Sequence, residues 1–248
     1  MPITLITLDG IGGHGGPDSM LGANLVRPLL ETGDYEEVEV HGLQSIGPVN
    51  PTPEKDIGSW LAETTDHDAR AIADAVRKTP NLAAVAGYSG GAAAVSRFLE
   101  DMKRGLDYTR GLEIVWAVTV ANPYCAPDAI GRYGVAGEHA PFPGDIRHFE
   151  IANPDDGICR CPKYSSLRFL TDLGQAATIE DWIRRTYTKQ WQTGAPDWWN
   201  PIATAERLAT DVGLLRGYLA PGTAHSADYW TRNLFDRVVR HIKETKWE

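Results

Sequence analysis

Leu82-Ala83-Ala84-Val85-Ala86-Gly87-Tyr88-Ser89-Gly90-Gly91-Ala92-Ala93-Ala94-Val95-Ser96-Arg97-Phe98-Leu99 is the stretch on which the reading of this chain turns. Leu82 to Ala86 is a short apolar run suited to a buried strand. From Gly90 to Lys103 the spacing becomes helical, with Val95, Phe98 and Leu99 on one side. Between the two, Gly87-Tyr88-Ser89-Gly90-Gly91 matches G-x-S-x-G. A chain that passes from strand to helix across so few residues turns sharply at the serine and strains its backbone. Side chains two residues to either side would collide there, which accounts for the glycines. The turn pushes Ser89 into the open and leaves the N–H of Gly90 facing the place where a carbonyl would react.

Outward from this point, strands and helices alternate. Ile3 to Leu8 reads as a buried strand, followed by a glycine-dense loop from Gly10 to Gly16 and a helical stretch from a cap at Asp18 towards Leu30. Val38 to His41 reads as a second strand, and Pro48, Pro51 and Pro53 mark an irregular connection. Ala69, Ile72, Ala73 and Val76 give His67 to Lys78 a helical face. Ile114 to Val120 is the clearest buried strand, and Arg147 to Ile151 a weaker one. This alternation predicts an α/β fold whose mostly parallel sheet is covered by helices on both faces. From about 160 to 222 the pattern changes to short helices rich in large aromatics: Trp182, Tyr187, Trp191, Trp198 and Trp199. It reads as an insertion, a cap over the carboxyl edge of the sheet, before a last helix from Asp228 to Thr245. Its tryptophans serve either as core or as an apolar wall for a substrate.

With 248 residues, 42% of them apolar, the chain can build one large domain. No run of apolar residues is long enough to suggest a membrane span, and the N-terminus lacks the basic and apolar regions of a secretory signal. A net charge of −9 without any Lys/Arg block argues against nucleic acid as the main partner. Three cysteines, Cys125, Cys159 and Cys161, fall short of four zinc ligands and of a disulfide framework. They read as small buried residues, with one disulfide among them as the alternative.

A serine hydroxyl needs a base, and the base needs an orienting acid. In a strand–G-x-S-x-G–helix setting the acid and then the histidine follow the serine along the chain. Of the seven histidines, His139, His148, His225 and His241 come late enough. His241 falls within the terminal amphipathic helix and reads as a surface residue. His225 lies in the loop Pro221-Gly222-Thr223-Ala224-His225 just before that helix, where such a base belongs. Asn153-Pro154-Asp155-Asp156-Gly157 directly follows a strand and offers Asp156 as the acid, with Asp155 as its alternative and Asp128, Asp145 and Asp172 as weaker rivals.

These motifs together resemble the cutinase-like branch of the α/β hydrolases. The chain is more closely similar to lysin B, the mycolyl-arabinogalactan esterase of bacteriophages that infect mycobacteria and their relatives. The resemblance spans nearly the whole length. It includes the glycine loop after the first strand, Ala121-Asn122-Pro123-Tyr124 after the central strand, Asp156-Gly157-Ile158-Cys159, and the Trp-rich insertion between acid and base. Lysin B commonly has Gln where this chain has Gly90; only a backbone N–H is needed there. Cutinases flank the acid with a disulfide, for which Cys159 has no upstream partner in its loop. The resemblance implies a Ser89–His225–Asp156 triad, an oxyanion hole from the N–H groups of Gly90 and Ile11, and an ester substrate with a long mycolic acyl group. It implies no cofactor, metal or obligate protein partner. Tyr88, Trp182, Trp198 and Trp199 become candidates for substrate contact. A phage product of this kind is expected in the host cytoplasm, acting on the envelope at lysis.

Three other readings compete. A general cutinase or lipase would use the same residues. A non-catalytic phage tail component could keep the fold without turnover. Gly10-Ile11-Gly12-Gly13-His14-Gly15 also fits the G-x-G-x-x-G dinucleotide fingerprint, with Glu37 or Glu39 as the acidic residue of an NAD(P)-dependent oxidoreductase. Against that, Gly16 and Pro17 prolong the loop and delay the helix.

Overall fold

A computed structural model describes residues 2–11, 15–43, 45, 61–165, 167–168, 180–181, 184–185, 188, 209–211, 213 and 223–247. Five strands, β1 (Ile3–Leu8), β2 (Tyr35–Glu39), β3 (Ala83–Tyr88), β4 (Ile114–Val120) and β5 (Arg147–Ile151), form one sheet in the order β2-β1-β3-β4-β5. Every pairing is parallel. The fold is therefore α/β, as the alternation of elements predicts.

Both sheet faces are buried. One packs Leu5, Ala84, Ala86, Trp116, Val118 and Val120 against Leu21, Leu25 and Leu29 of the first helical segment and against the C-terminal helices. The other packs Ile6, Leu8, Val85 and Ala117 against α2 (Leu61–Lys78) and α3 (Gly90–Arg104). Period-two alternation sends neighbouring strand residues to opposite cores, so the central strands are mostly apolar, with Thr4, Thr7 and Thr119 the buried polar exceptions. Among the described residues no helix is long and apolar enough to cross a membrane.

The strand order places the site. From β1 the chain moves outward to β2, whereas from β3 it moves the other way to β4. The connections diverge at the carboxyl ends of β1 and β3, and parallel sheets bind ligands at such a reversal. Gly10 and Ile11, which begin the glycine loop, lie there beside the Ser89 turn.

Several local expectations need correction. Ser19, not Asp18, caps the first helical segment: Ser19 Oγ accepts the Gly22 N–H at 3.0 Å, while exposed Asp18 pairs with Arg27 at 3.1 Å. That segment is π-helical over Gly22–Val26 before α1 (Arg27–Leu30), where Pro28 has no N–H to give the regular ladder. The last helix is two, α4 (Asp228–Thr231) and α5 (Asp236–Glu244), broken at Asn233 with φ of 55°. His241 is not a surface residue; it is half-buried and meets the Phe149 ring edge-on at 5.4 Å.

Candidate active site

Ser89 sits between β3 and α3, with φ 54° and ψ −115°, a conformation L-residues avoid. Tight packing enforces it. A Cβ on Gly87 would lie 2.3 Å from Gly91 O, and one on Gly91 would lie 2.0 Å from Leu8 O. Only glycine lets α3 begin this close to β1. The Ser89 N–H donates to Val120 O at 2.8 Å, which ties the turn to β4.

Ser89 Oγ stands 2.9 Å from His225 Nε2, and His225 Nδ1 stands 2.8 Å from Asp156 Oδ2. The three side chains thus come together from the end of β3, the loop before α4 and the loop after β5. His225 is partly buried, and Asp156 is almost wholly so at 1% exposure. Asp155, by contrast, points outward and pairs with Arg232 at 2.7 Å. Asp128 is held by Arg132 at 2.8 Å, Asp145 is exposed, and Asp172 lies outside the described residues.

The first-strand loop closes over the turn. A Cβ on Gly90 would lie 2.6 Å from Ile11 Cγ1 and 3.4 Å from Ile11 N, which puts the two main-chain N–H groups in one neighbourhood. As the first residue of α3, Gly90 has no carbonyl one turn earlier to take its N–H. Asp9 supports the base of the loop, its Oδ1 accepting the Gly10 N–H at 3.0 Å, and burial holds its carboxyl above the usual range. Helical turns begin only at Met20, far from Gly10 and Ile11, which pack on Ser89, Tyr88 and Gly90. The dinucleotide arrangement needs the helix to start within the glycine fingerprint, so this geometry does not fit it. Gly12, Gly13 and His14 lie outside the described residues.

Several supporting residues carry no motif. The Tyr229 hydroxyl donates to Asp156 Oδ2 at 2.8 Å, and the Asp156 Oδ1 atom accepts the Ile158 N–H at 2.9 Å. Buried Asn153 donates from Nδ2 to Ala224 O at 2.7 Å, joining the acid loop to the residue before His225. Tyr88, expected at the substrate, sends its hydroxyl to the main-chain carbonyl of His225 and stacks on its ring at 5.4 Å. Trp182, Trp198 and Trp199, with most of the 160–222 insertion, lie outside the described residues. The three cysteines are free thiols in the interior. Burial, then Cys125 and the Asp156 carboxylate, hold the Cys159 thiol well above its ordinary range. Among the described residues no group of three or more His, Cys, Asp and Glu is placed to hold a metal ion.

Hydroxyl, imidazole and buried carboxylate in this order can move a proton off the hydroxyl and stabilise the resulting imidazolium. No protein-family model matches the chain, nor does any curated protein. Among solved structures it is similar to lysin B from Mycobacteriophage D29, at 14% identity and TM-score 0.47 over 96% of this chain and 100% of that one. It is similar to the catalytic core domain of acetyl xylan esterase from Trichoderma reesei, at 13% identity and TM-score 0.46 over 86% and 98%. A cutinase-like protein from Cryptococcus sp. matches at 14% identity and TM-score 0.45 over 79% and 92%.

Proposed function

We propose that this chain is a serine esterase of the α/β-hydrolase type. The observation that carries the reading is the unbroken relay from Ser89 Oγ through His225 to Asp156, at 2.9 and 2.8 Å, on a strained turn that leaves the serine half-buried. In this reading Ser89 Oγ attacks the ester carbonyl while His225 Nε2 takes its proton. Asp156 holds the imidazole with Nδ1 protonated and offsets its positive charge. The N–H groups of Gly90 and Ile11 stabilise the oxyanion, each donor contributing about 3 kcal/mol to the transition state. His225 then protonates the leaving alcohol, and water, activated by the same imidazole, releases the acid.

For the substrate we infer the ester between mycolic acid and arabinogalactan, on the strength of the motif resemblance to lysin B. The protein would then be made in the host cytoplasm and act on the envelope during phage lysis. Ordinary lipid or cutin-type esters call for the same chemistry, so experiment must separate them.

The test compares wild type with Ser89→Ala, Asp156→Asn and Asp155→Asn on p-nitrophenyl esters of increasing chain length and on mycolyl-arabinogalactan. Ser89→Ala should lose both activities. Asp156→Asn should lose about four orders of magnitude in kcat through the wrong imidazole tautomer. Asp155→Asn, which breaks only a surface ion pair, should stay within about twofold. Cleavage of the small esters alone would reassign the substrate, and activity surviving in Ser89→Ala would end the esterase reading.

A further inference from the structure

Asp156 Oδ2 lies where four side chains meet. Besides His225 Nδ1 at 2.8 Å, it faces the Tyr229 hydroxyl at 2.8 Å and, at 3.5 Å, the Cys159 thiol, which also stands 3.4 Å from the Tyr229 hydroxyl and 3.6 and 3.7 Å from the Asn153 and Asp156 carbonyls. The other oxygen takes a main-chain N–H from Ile158. Tyr229 is fully buried. Its hydroxyl accepts the Asn153 N–H at 3.2 Å, which leaves its own proton directed at the carboxylate. Phenylalanine would fill the same volume, so the hydroxyl is not needed for packing. The torsion that orients an aspartate carboxylate is broad and nearly twofold, so its angle is set by what surrounds it.

We infer that Tyr229 and Cys159 are positioning residues, whose hydroxyl and thiol hold the Asp156 carboxylate at the angle that aims His225 at Ser89. The inference rests on the esterase reading above and adds to it how the acid is held. The titratable groups facing Asp156 are His225, Tyr229 and Cys159. Cys125 stands behind Cys159, and Arg232 on the rim is engaged by Asp155 and Asp228. Burial and the Asp156 carboxylate keep the Tyr229 phenol protonated and therefore a donor. Both donors share one oxygen with the His225 Nδ1–H. Removing either leaves more of that oxygen's negative charge to the His225 imidazolium. It also frees the carboxylate to rotate, which slows the chemistry. Both side chains are fully buried, so substrate affinity should not change.

The test measures kcat, KM and the pH dependence of kcat/KM for p-nitrophenyl butyrate in wild type, Tyr229→Phe, Cys159→Ala and Ser89→Ala. Tyr229→Phe should lower plateau kcat about tenfold, in line with loss of a hydrogen bond to a charged group. KM should stay within about twofold, and the acidic limb should move up by roughly half a pH unit. Cys159→Ala should shift the limb the same way by less, and it carries the test should Tyr229→Phe not fold. An acidic limb that stays in place, or a loss that appears in KM, would reduce both residues to packing and overturn the inference. Ser89→Ala keeps the two questions apart, because its activity decides the esterase reading whatever Tyr229→Phe does.

Discussion

Ile11 occupies the space in front of Gly90 so fully that a single added carbon at residue 90 would come within 2.6 Å of its Cγ1 and 3.1 Å of its Cδ1. Resemblance to lysin B leads one to expect glutamine after the nucleophile, and this chain has glycine. The contact explains the glycine: the loop after β1 lies directly on the start of α3, and its β-branched side chain takes the room a longer residue would need. Gly90→Ala therefore has to push Ile11 and its N–H away from the serine. A displacement near 1 Å at a reacting centre costs up to about a hundredfold. Gly90→Ala should lower kcat on p-nitrophenyl butyrate by roughly ten- to a hundredfold with native circular dichroism. Ile11→Ala in the same chain should recover much of it. If the double variant is no better than Gly90→Ala, the contact is not what fixes the proposed oxyanion donors.

Strain at Ser89 leads to a second prediction. Ser89 is held at φ 54° and ψ −115°, and a non-glycine residue in such a region costs about 1–3 kcal/mol. Glycine relieves most of that, less about 0.5–1 kcal/mol for its greater freedom in the unfolded chain. Ser89→Gly and Ser89→Ala should both be inactive, yet Ser89→Gly should be more stable by about 1 kcal/mol in urea titration. Equal midpoints would mean that the turn is not strained in solution.

The parts of the molecule legible in the sequence are those whose signal is local. The Ser89 turn announces itself because the steric reason for Gly87 and Gly91 acts within five residues, and β4 because it is buried on both faces. Chain order leaves four histidines and several aspartates; only their places in loops, before the last helix and after β5, single out His225 and Asp156, which lie 2.8 Å apart. The start of β2 at Tyr35 is hidden by its place at a sheet edge, where Glu36 and Glu37 bond Thr4 and Thr7 instead of showing an apolar run. The early start of α2 at Leu61 is masked because its buried face includes Thr64 and Thr65. Their hydroxyls bond to the carbonyls of Ser45 and Leu61. Asn233 breaks the last helix with no change in the pattern on either side, since asparagine tolerates left-handed backbone without glycine's signature. Tyr229 is the instructive omission. It reads as one more apolar residue of a helix, and its partner Asp156 lies 73 residues away.

Acid should weaken the fold through a histidine outside the proposed triad. His148 sits on β5 with Nε2 2.8 Å from Thr119 Oγ1, and its ring is flanked edge-on by Phe142 and His139. Burial, with a smaller contribution from His139, lowers its pKa from 6.5 to about 4. In the unfolded chain it titrates near 6.5, so between there and about 4 the unfolded state binds a proton that the native state refuses. Stability from this group is present above that window. It falls as pH drops through the window, by up to roughly 1.4 kcal/mol per pH unit, and levels off below it. His148→Gln removes the titration while keeping a polar group opposite Thr119. In urea titrations the variant should be less stable than wild type at pH 7 because packing is lost. The gap should narrow steadily towards pH 4.5 as wild type alone takes up the penalty. A gap that stays constant across the series would show that His148 does not couple protonation to folding.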